Sequence, residues 1–189
     1  MILGFAAILI GYLLGSIPTA YIVTKIKKGV DIRDIDVGNV GAAATLRQVG
    51  ILGGTIVAVI DIAKGIASIL IARALGISEM WVLGAGFAAI LGHNFPIYIG
   101  FRGGKGSATT MGVFLILAPQ AMALLLVMMA IAIFFTYKVF PMLSITFPFL
   151  PLLIWIFGGS AMLIIFSAVV VLCLALRDLG GLKKLVAKA

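Results

Sequence analysis

Residues 2–24 contain no charged side chain, and five more apolar stretches follow at 51–75, 80–98, 111–136, 142–157 and 160–176. Most reach the ~20 residues that cross a bilayer's hydrocarbon core. Backbone N–H and C=O groups have no water to pair with in lipid, so such runs fold as helices. A soluble domain of 189 residues has no means of burying a chain that is 63% hydrophobic and 11% charged. The expected fold is an all-α polytopic membrane protein, and without a linker or low-complexity tract it reads as one domain over residues 1–189.

The distribution of basic residues predicts which ends face the cell interior. No basic residue precedes the first apolar run, and Lys25, Lys27 and Lys28 follow it directly, the reverse of a cleavable signal peptide. A retained first helix with its N-terminus outside is predicted. Arg33, Arg47, Arg102, Lys105, Arg177, Lys183, Lys184 and Lys188 then fall in cytoplasmic loops and a cytoplasmic C-terminus. The formal net charge of +8 is thus spread over short loops, with no basic domain of the kind that nucleic acid would demand. An outside start and an inside finish need an odd number of crossings, whereas six apolar stretches are visible. Ala118-Pro119-Gln120 interrupts the long stretch before Lys138, where proline breaks a helix. A hairpin there gives a bundle of about seven transmembrane helices, some short; a single kinked helix gives six.

Polar chemistry collects in two inner loops. In the first, small residues from Gly38 through Asn39, Gly41 and Ala44 let backbone approach a ligand, and Arg33 and Arg47 supply forked donors suited to phosphate oxygens. The alternative is a tight helix-packing turn with cations facing lipid headgroups. The second reads Gly92-His93-Asn94-Phe95-Pro96, then Gly100-Phe101-Arg102-Gly103-Gly104-Lys105-Gly106-Ser107-Ala108-Thr109. A glycine-rich turn feeding a helix offers unpaired N–H groups, a positive dipole end and two nearby cations, the parts of an anion site. It is no Walker A loop, because Ile99 stands where the first glycine belongs and Gly106 where Ser or Thr follows the lysine.

Within the spans, Asp61 and Lys64 sit three residues apart on one helical face and are placed to pair with each other. His93, the only histidine, is read either as orienting a substrate or as satisfied by a neighbouring helix carbonyl. Ser16, in Gly15-Ser16-Ile17-Pro18, marks a locally weakened first helix. Cys173 reads as a small buried hydrophobe. There is no Ser-His-Asp pattern, no HxxxxD acyltransferase motif and no His/Asp/Glu metal cluster, so neither a metal nor another cofactor is expected.

Across essentially the whole chain these residues resemble the bacterial acyl-phosphate:glycerol-3-phosphate acyltransferase family, PlsY. The resemblance rests on Gly15-Ser16-Ile17-Pro18, Val30-Asp31-Ile32-Arg33, Gly38-Asn39-Val40-Gly41-Ala42, Asp61-Ile62-Ala63-Lys64-Gly65, Gly92-His93-Asn94-Phe95-Pro96 and Phe101-Arg102-Gly103-Gly104-Lys105-Gly106. It implies a multi-pass enzyme of the bacterial inner membrane that makes lysophosphatidic acid from an acyl phosphate, without coenzyme A or acyl carrier protein as direct donor. Its partners would be the two substrates and membrane lipid, with no obligate protein partner. The chain departs from the family pattern at polar positions: Val37 replaces a serine and Ala44 an asparagine. Lys138-Val139-Phe140-Pro141 replaces an arginine-tyrosine-valine-serine run, leaving Ser144 as the matching second serine. Ala175-Leu176-Arg177-Asp178-Leu179 stands for arginine-histidine-arginine-glutamate-asparagine.

With the resemblance in place, Lys105 and Arg47 are the expected phosphate ligands, helped by Arg33, Arg102, Thr109 and Ser144 and by amides from Gly38 to Gly41 and from Gly103 and Gly104 to Gly106. Asn39 and Ser107 are candidates to orient carbonyl or hydroxyl groups. The base for the glycerol hydroxyl is either His93 or a substrate phosphate oxygen, the latter preferred because His93 reads as too deep for a water-soluble acceptor. Two rivals remain: an organic-anion transporter or lipid-binding relic on the same fold, and an acyltransferase with another phosphorylated acceptor.

Overall fold

In the computed structural model of the chain, residues 1–35, 40–136 and 145–186 are described. They are helical, with no strand among them: α1 (Ile2–Ser16), α2 (Thr19–Lys28), α3 (Ile32–Ile35), α4 (Ala42–Val49), α5 (Ile51–Ala74), α6 (Glu79–Asn94), α7 (Ser107–Leu117), α8 (Pro119–Thr136), α9 (Leu150–Ile156) and α10 (Ala161–Val186), with short 3-10 turns at Ile97–Ile99 and Phe147–Phe149. Among the described residues three segments are long and apolar enough to span a bilayer: Ile2–Lys28, Ile51–Ala74 and Glu79–Ile99. Shorter apolar helices accompany them at Ser107–Leu117, Pro119–Phe135, Phe147–Ile156 and Ala161–Arg177.

Prolines set the main breaks. Ile17, ahead of Pro18, adopts φ −55°, ψ 116°, outside the helical region that a following proline disfavours, so the first span divides into α1 and α2. Ala118 does the same ahead of Pro119 at φ −144°, ψ 65°, separating α7 from α8 where the interruption is expected. α2 ends on Gly29 in the left-handed region, whose N–H closes on the Lys25 carbonyl at 2.9 Å.

Small residues decide how the spans meet. A Cβ on Gly15 would lie 2.0 Å from the Ala89 carbonyl oxygen, and one on Gly92 would lie 2.2 Å from that of Tyr12. α1 and α6 therefore touch backbone to backbone, as small-residue stripes allow in membranes. Phe5 stacks edge-on against Trp81 at 4.9 Å, and Tyr12 Oη donates to the Phe95 carbonyl at 2.8 Å, so early residues meet early and late meet late. The two helices run parallel, and α5, which precedes α6 in the chain, runs the other way. The connections after α2 and after α6 accordingly lie at one end of the bundle, the N-terminus at the other.

The main apolar core surrounds Phe114, Met122, Leu125, Leu150, Ile154 and Val170, all at most 1% exposed. A smaller cluster of Ala20, Ile32, Val40, Ala44, Val57 and Ile99 lies under the two connections and anchors both. Burial of Ile32 alone, completely enclosed, contributes about 1.5–3 kcal/mol to that anchoring. Large exposed apolar side chains such as Phe5, Ile51, Phe134 and Trp155 form the outer surface, in keeping with contact with lipid.

Candidate active site at the glycine-rich end

The second connection begins where α6 stops. Pro96 follows the last turn, the chain makes the 3-10 turn Ile97–Ile99, and Gly100 and Phe101 both take positive φ, 68° and 60°. Phe101 is the only non-glycine residue with positive φ among those described, and its N–H reaches back to the Pro96 carbonyl at 2.9 Å. Gly106, at φ 90°, then turns the chain into α7. Only glycine enters that region without steric cost, so Gly106 sets the direction in which the first N–H groups of α7 point. Those groups have no partner within the helix, and the dipole makes that end positive.

The two polar connections meet. A Cβ at Gly104 would lie 2.6 Å from the Val40 carbonyl oxygen and 2.3 Å from Nε2 of His93. A cleft between them is lined by Ile17, Thr19, Val40, Asp61, His93 and Gly104, among others. Arg33 ties the connections a second time: its Nη1 donates to the Ile99 carbonyl at 2.6 Å, while Nε bonds both Asp31 carboxylate oxygens at 2.9 and 3.0 Å. The hydrogen bond from the Arg33 side chain holds the Asp31 carboxyl below its ordinary pKa, and the same bond raises that of Arg33.

Beneath the cleft the predicted pair is present. Lys64 Nζ donates to Asp61 Oδ1 at 2.6 Å and to the Ile17 carbonyl at 2.5 Å, both side chains being almost fully buried. The ammonium thus joins the Thr19 N–H, at 3.0 Å, on a carbonyl that the α1–α2 break leaves without a helical partner. His93 Nδ1 stands 3.7 Å from the same Asp61 oxygen, with the opposite ring nitrogen against Gly104.

The expected site residues fall into three groups. Gly41, Gly103, Gly104, Lys105, Gly106 and Ser107 lie on the two connections or the helix starts they feed, Lys105 and Ser107 half-buried and the four glycines buried. Arg47, in the last turn of α4, and Arg102, in the turn, are exposed. Gly38, Asn39 and Ser144 lie outside the described residues, as does Val37. His93, expected to lie deep, has a side chain only 10% exposed and sits directly beneath Gly104. Three expectations are modified. The Gly104 N–H is committed to the His93 carbonyl at 3.1 Å, which leaves the start of α7 as the better source of amides. Arg33 directs its guanidinium at Asp31 and Ile99. Thr109 is fully buried, and its carbonyl would lie 2.2 Å from a Cβ on Gly65 of α5, so it belongs to a helix contact.

Two features escaped the sequence reading. Asn94 is 2% exposed, with its Oδ1 2.6 Å from where a Cβ on Gly106 would stand. Arg177, from α10, reaches the backbone of the glycine-rich turn: Nη2 donates to the Asn94 carbonyl at 2.7 Å and Nε to that of Gly104 at 3.3 Å. The one available signal was the arginine retained in an otherwise altered C-terminal pattern. Its position also fixes the direction of α10, which ends at the site end, opposite the N-terminus, as an odd number of crossings requires.

Comparison with known proteins gives the family and supports the helical fold. Residues 5–188 match the family model described as glycerol-3-phosphate acyltransferase. Glycerol-3-phosphate acyltransferase 1 of Dehalococcoides mccartyi is 37% identical over 177 residues, covering 90% of this chain and 85% of its own. The glycerol-3-phosphate acyltransferase of Parasynechococcus marenigrum is 37% identical over 180 residues, covering 94% and 84%. Among solved structures, PlsY, an integral membrane glycerol 3-phosphate acyltransferase, superimposes in its glycerol 3-phosphate form with a TM-score of 0.87 at 28% identity, covering 98% of this chain and 92% of that one. Its lysophosphatidic acid form gives a TM-score of 0.84 at 26% identity, with the same coverage.

Proposed function

Because the chain belongs to the glycerol-3-phosphate acyltransferase family, we propose that it transfers an acyl group from an acyl phosphate to glycerol 3-phosphate, as a single-domain enzyme of the bacterial inner membrane. The products are 1-acyl-glycerol 3-phosphate and inorganic phosphate, for phospholipid synthesis. The glycerol hydroxyl oxygen bonds to the acyl carbon, the bond from that carbon to the phosphate oxygen breaks, and the hydroxyl proton leaves with the phosphate. An acyl phosphate is a mixed anhydride with a good leaving group, so no covalent enzyme intermediate, coenzyme A, cofactor or protein partner enters this scheme.

The chemistry asks for two phosphates held side by side and for charge stabilisation as the carbonyl becomes tetrahedral. The observation that carries the reading is the meeting of the two connections at Val40 and Gly104, with Lys105 next in sequence and the positive start of α7 beyond it. Lys105 and the first amides of α7 act on phosphate, with Arg47, Arg102 and Ser107 at the mouth and Asn39 and Ser144 as further polar contributors. Arg33 holds the first connection against the second, and Gly38, Gly41 and Gly103 let backbone come close. The closeness of His93 Nε2 to the turn keeps it as an alternative base to the substrate phosphate.

Phosphate release from an acyl phosphate, measured on purified protein with and without glycerol 3-phosphate, tests the proposal. Release that depends on the acceptor supports it; release indifferent to the acceptor, or none, refutes it. Lys105→Ala should abolish transfer while the protein remains folded in detergent, and near-normal turnover by that variant would remove Lys105 from the phosphate site. A transporter on the same scaffold finds little support, since the buried charges Asp61 and Lys64 bond to each other.

A further inference from the structure

The turn that carries Lys105 has little structure of its own. Between Pro96 and Ser107 the backbone takes positive φ three times, at Gly100, Phe101 and Gly106. Its backbone bonds on the α6 side run from the Ile99 and Phe101 N–H groups to the Pro96 carbonyl and from the Gly104 N–H to that of His93. Arg33 Nη1 holds the Ile99 carbonyl from the first connection at 2.6 Å, and a further hold comes from a helix far along the chain. The Arg177 guanidinium meets three carbonyl oxygens: Asn94 at 2.7 Å, Gly104 at 3.3 Å and Gly103 at 3.4 Å. It also lies over the Phe95 ring at 4.6 Å from the centroid, within cation–π range.

We propose that Arg177 is a positioning residue for the acyl-transfer reaction: it latches the glycine-rich turn to α10 and thereby holds Lys105 and the start of α7 in register with a substrate phosphate. This rests on the function proposed above. Three carbonyl oxygens that converge without a cation repel one another, and the two glycines offer no side chain to keep them together. A planar guanidinium spreads its donors over a rigid fork and stacks flat on an aromatic ring, whereas a lysine ammonium gathers its three donors on one atom and has no plane to stack. The Asn94 bond, much the shortest of the three, is charge-assisted and forms the firm part of the latch. Arg177 donates to backbone carbonyls, so it acts on substrate through the turn.

The test pairs Arg177→Met with Arg177→Lys in purified protein and reads two quantities. Hydrogen exchange of the Gly103–Ala108 amides, measured without substrate, reports the latch itself: it should speed up in Arg177→Met and lie between the extremes in Arg177→Lys. Kinetics report the consequence. The KM of the substrate whose phosphate the turn holds should rise about ten- to a hundredfold in Arg177→Met, the scale expected when a binding group is misplaced by about 1 Å. The KM of the other substrate should stay within about threefold, and Arg177→Lys should recover part of the loss. Unchanged exchange overturns the proposal, as does a proportional fall in kcat with both KM values unmoved, which reports only a smaller folded fraction. If the wild-type protein shows no acceptor-dependent release while exchange in Arg177→Met still speeds up, the acyltransferase reading falls and the latch stands. Should Arg177→Met not fold, the split between the two KM values in Arg177→Lys decides.

Discussion

Gly104→Ala tests the meeting of the two connections most directly. The added methyl would lie 2.3 Å from His93 Nε2 and 2.6 Å from the Val40 carbonyl oxygen, where ordinary contact begins near 3.4 Å. Neither neighbour yields easily, because Val40 is backbone anchored in the small apolar cluster and the His93 ring is wedged between Asp61 and the turn. The turn therefore gives way by about 1 Å, a displacement that costs catalysis on the order of a hundredfold when it moves a substrate-positioning group. In barrier terms that is about 2.7 kcal/mol. The stability cost of overpacking is about 1–3 kcal/mol, so part of any loss reflects folding, and a control is needed. Gly84→Ala supplies it: that methyl would meet only the flexible end of Ile8 at 3.2 Å, on the same helix as His93 but away from the turn. Acceptor-dependent phosphate release, normalised to folded protein from detergent melting curves, should fall about a hundredfold for Gly104→Ala and stay near wild type for Gly84→Ala. Equal activity of both variants would mean that the gap between Gly104 and Val40 is not where substrate is positioned.

Lys64→Met should destabilise the protein by about 3–5 kcal/mol in detergent melts, because it strands the buried Asp61 carboxylate. The double variant Asp61→Asn with Lys64→Met should recover part of that, and a double variant no better than the single one would contradict the pairing. Asp31 has its carboxyl held below the ordinary range by Arg33, so its stabilising contribution is complete above the usual carboxylate pKa of about 3.9 and fades as pH falls through the lowered folded value. The pair is partly exposed, so the stability gap between wild type and Asp31→Asn should be at most about 1 kcal/mol near neutrality. That gap should close in strong acid; one that widens as pH falls would reverse the assigned sign.

The spans were legible because lipid leaves the backbone no alternative, and Pro18 and Pro119 marked the breaks at Ile17 and Ala118. The Asp61–Lys64 pair followed from a three-residue spacing that any helix converts into proximity. The site was legible as a set of residues but not as an arrangement. Arg33 looked available until Asp31, two residues away, and Ile99, on another connection, were seen to occupy its donors. His93 read as deep, and it is, but nothing in the sequence showed that the turn folds back over its ring. Arg177 and Gly103 lie 74 residues apart, and neither periodicity nor local composition reports a contact that depends on where α10 ends.

The ammonium of Lys64 joins the floor of the cleft to the end of the first helix through a single atom. Charge-altering substitutions at Asp61 or His93 therefore perturb more than proton chemistry, because they also loosen the grip on Ile17 and with it the wall that α1 and α2 present to the cleft. Lost turnover in such variants would be ambiguous between a missing base and a displaced wall. Swaps that preserve shape and hydrogen-bonding capacity, read alongside the melting behaviour of the first span, are what separate the two.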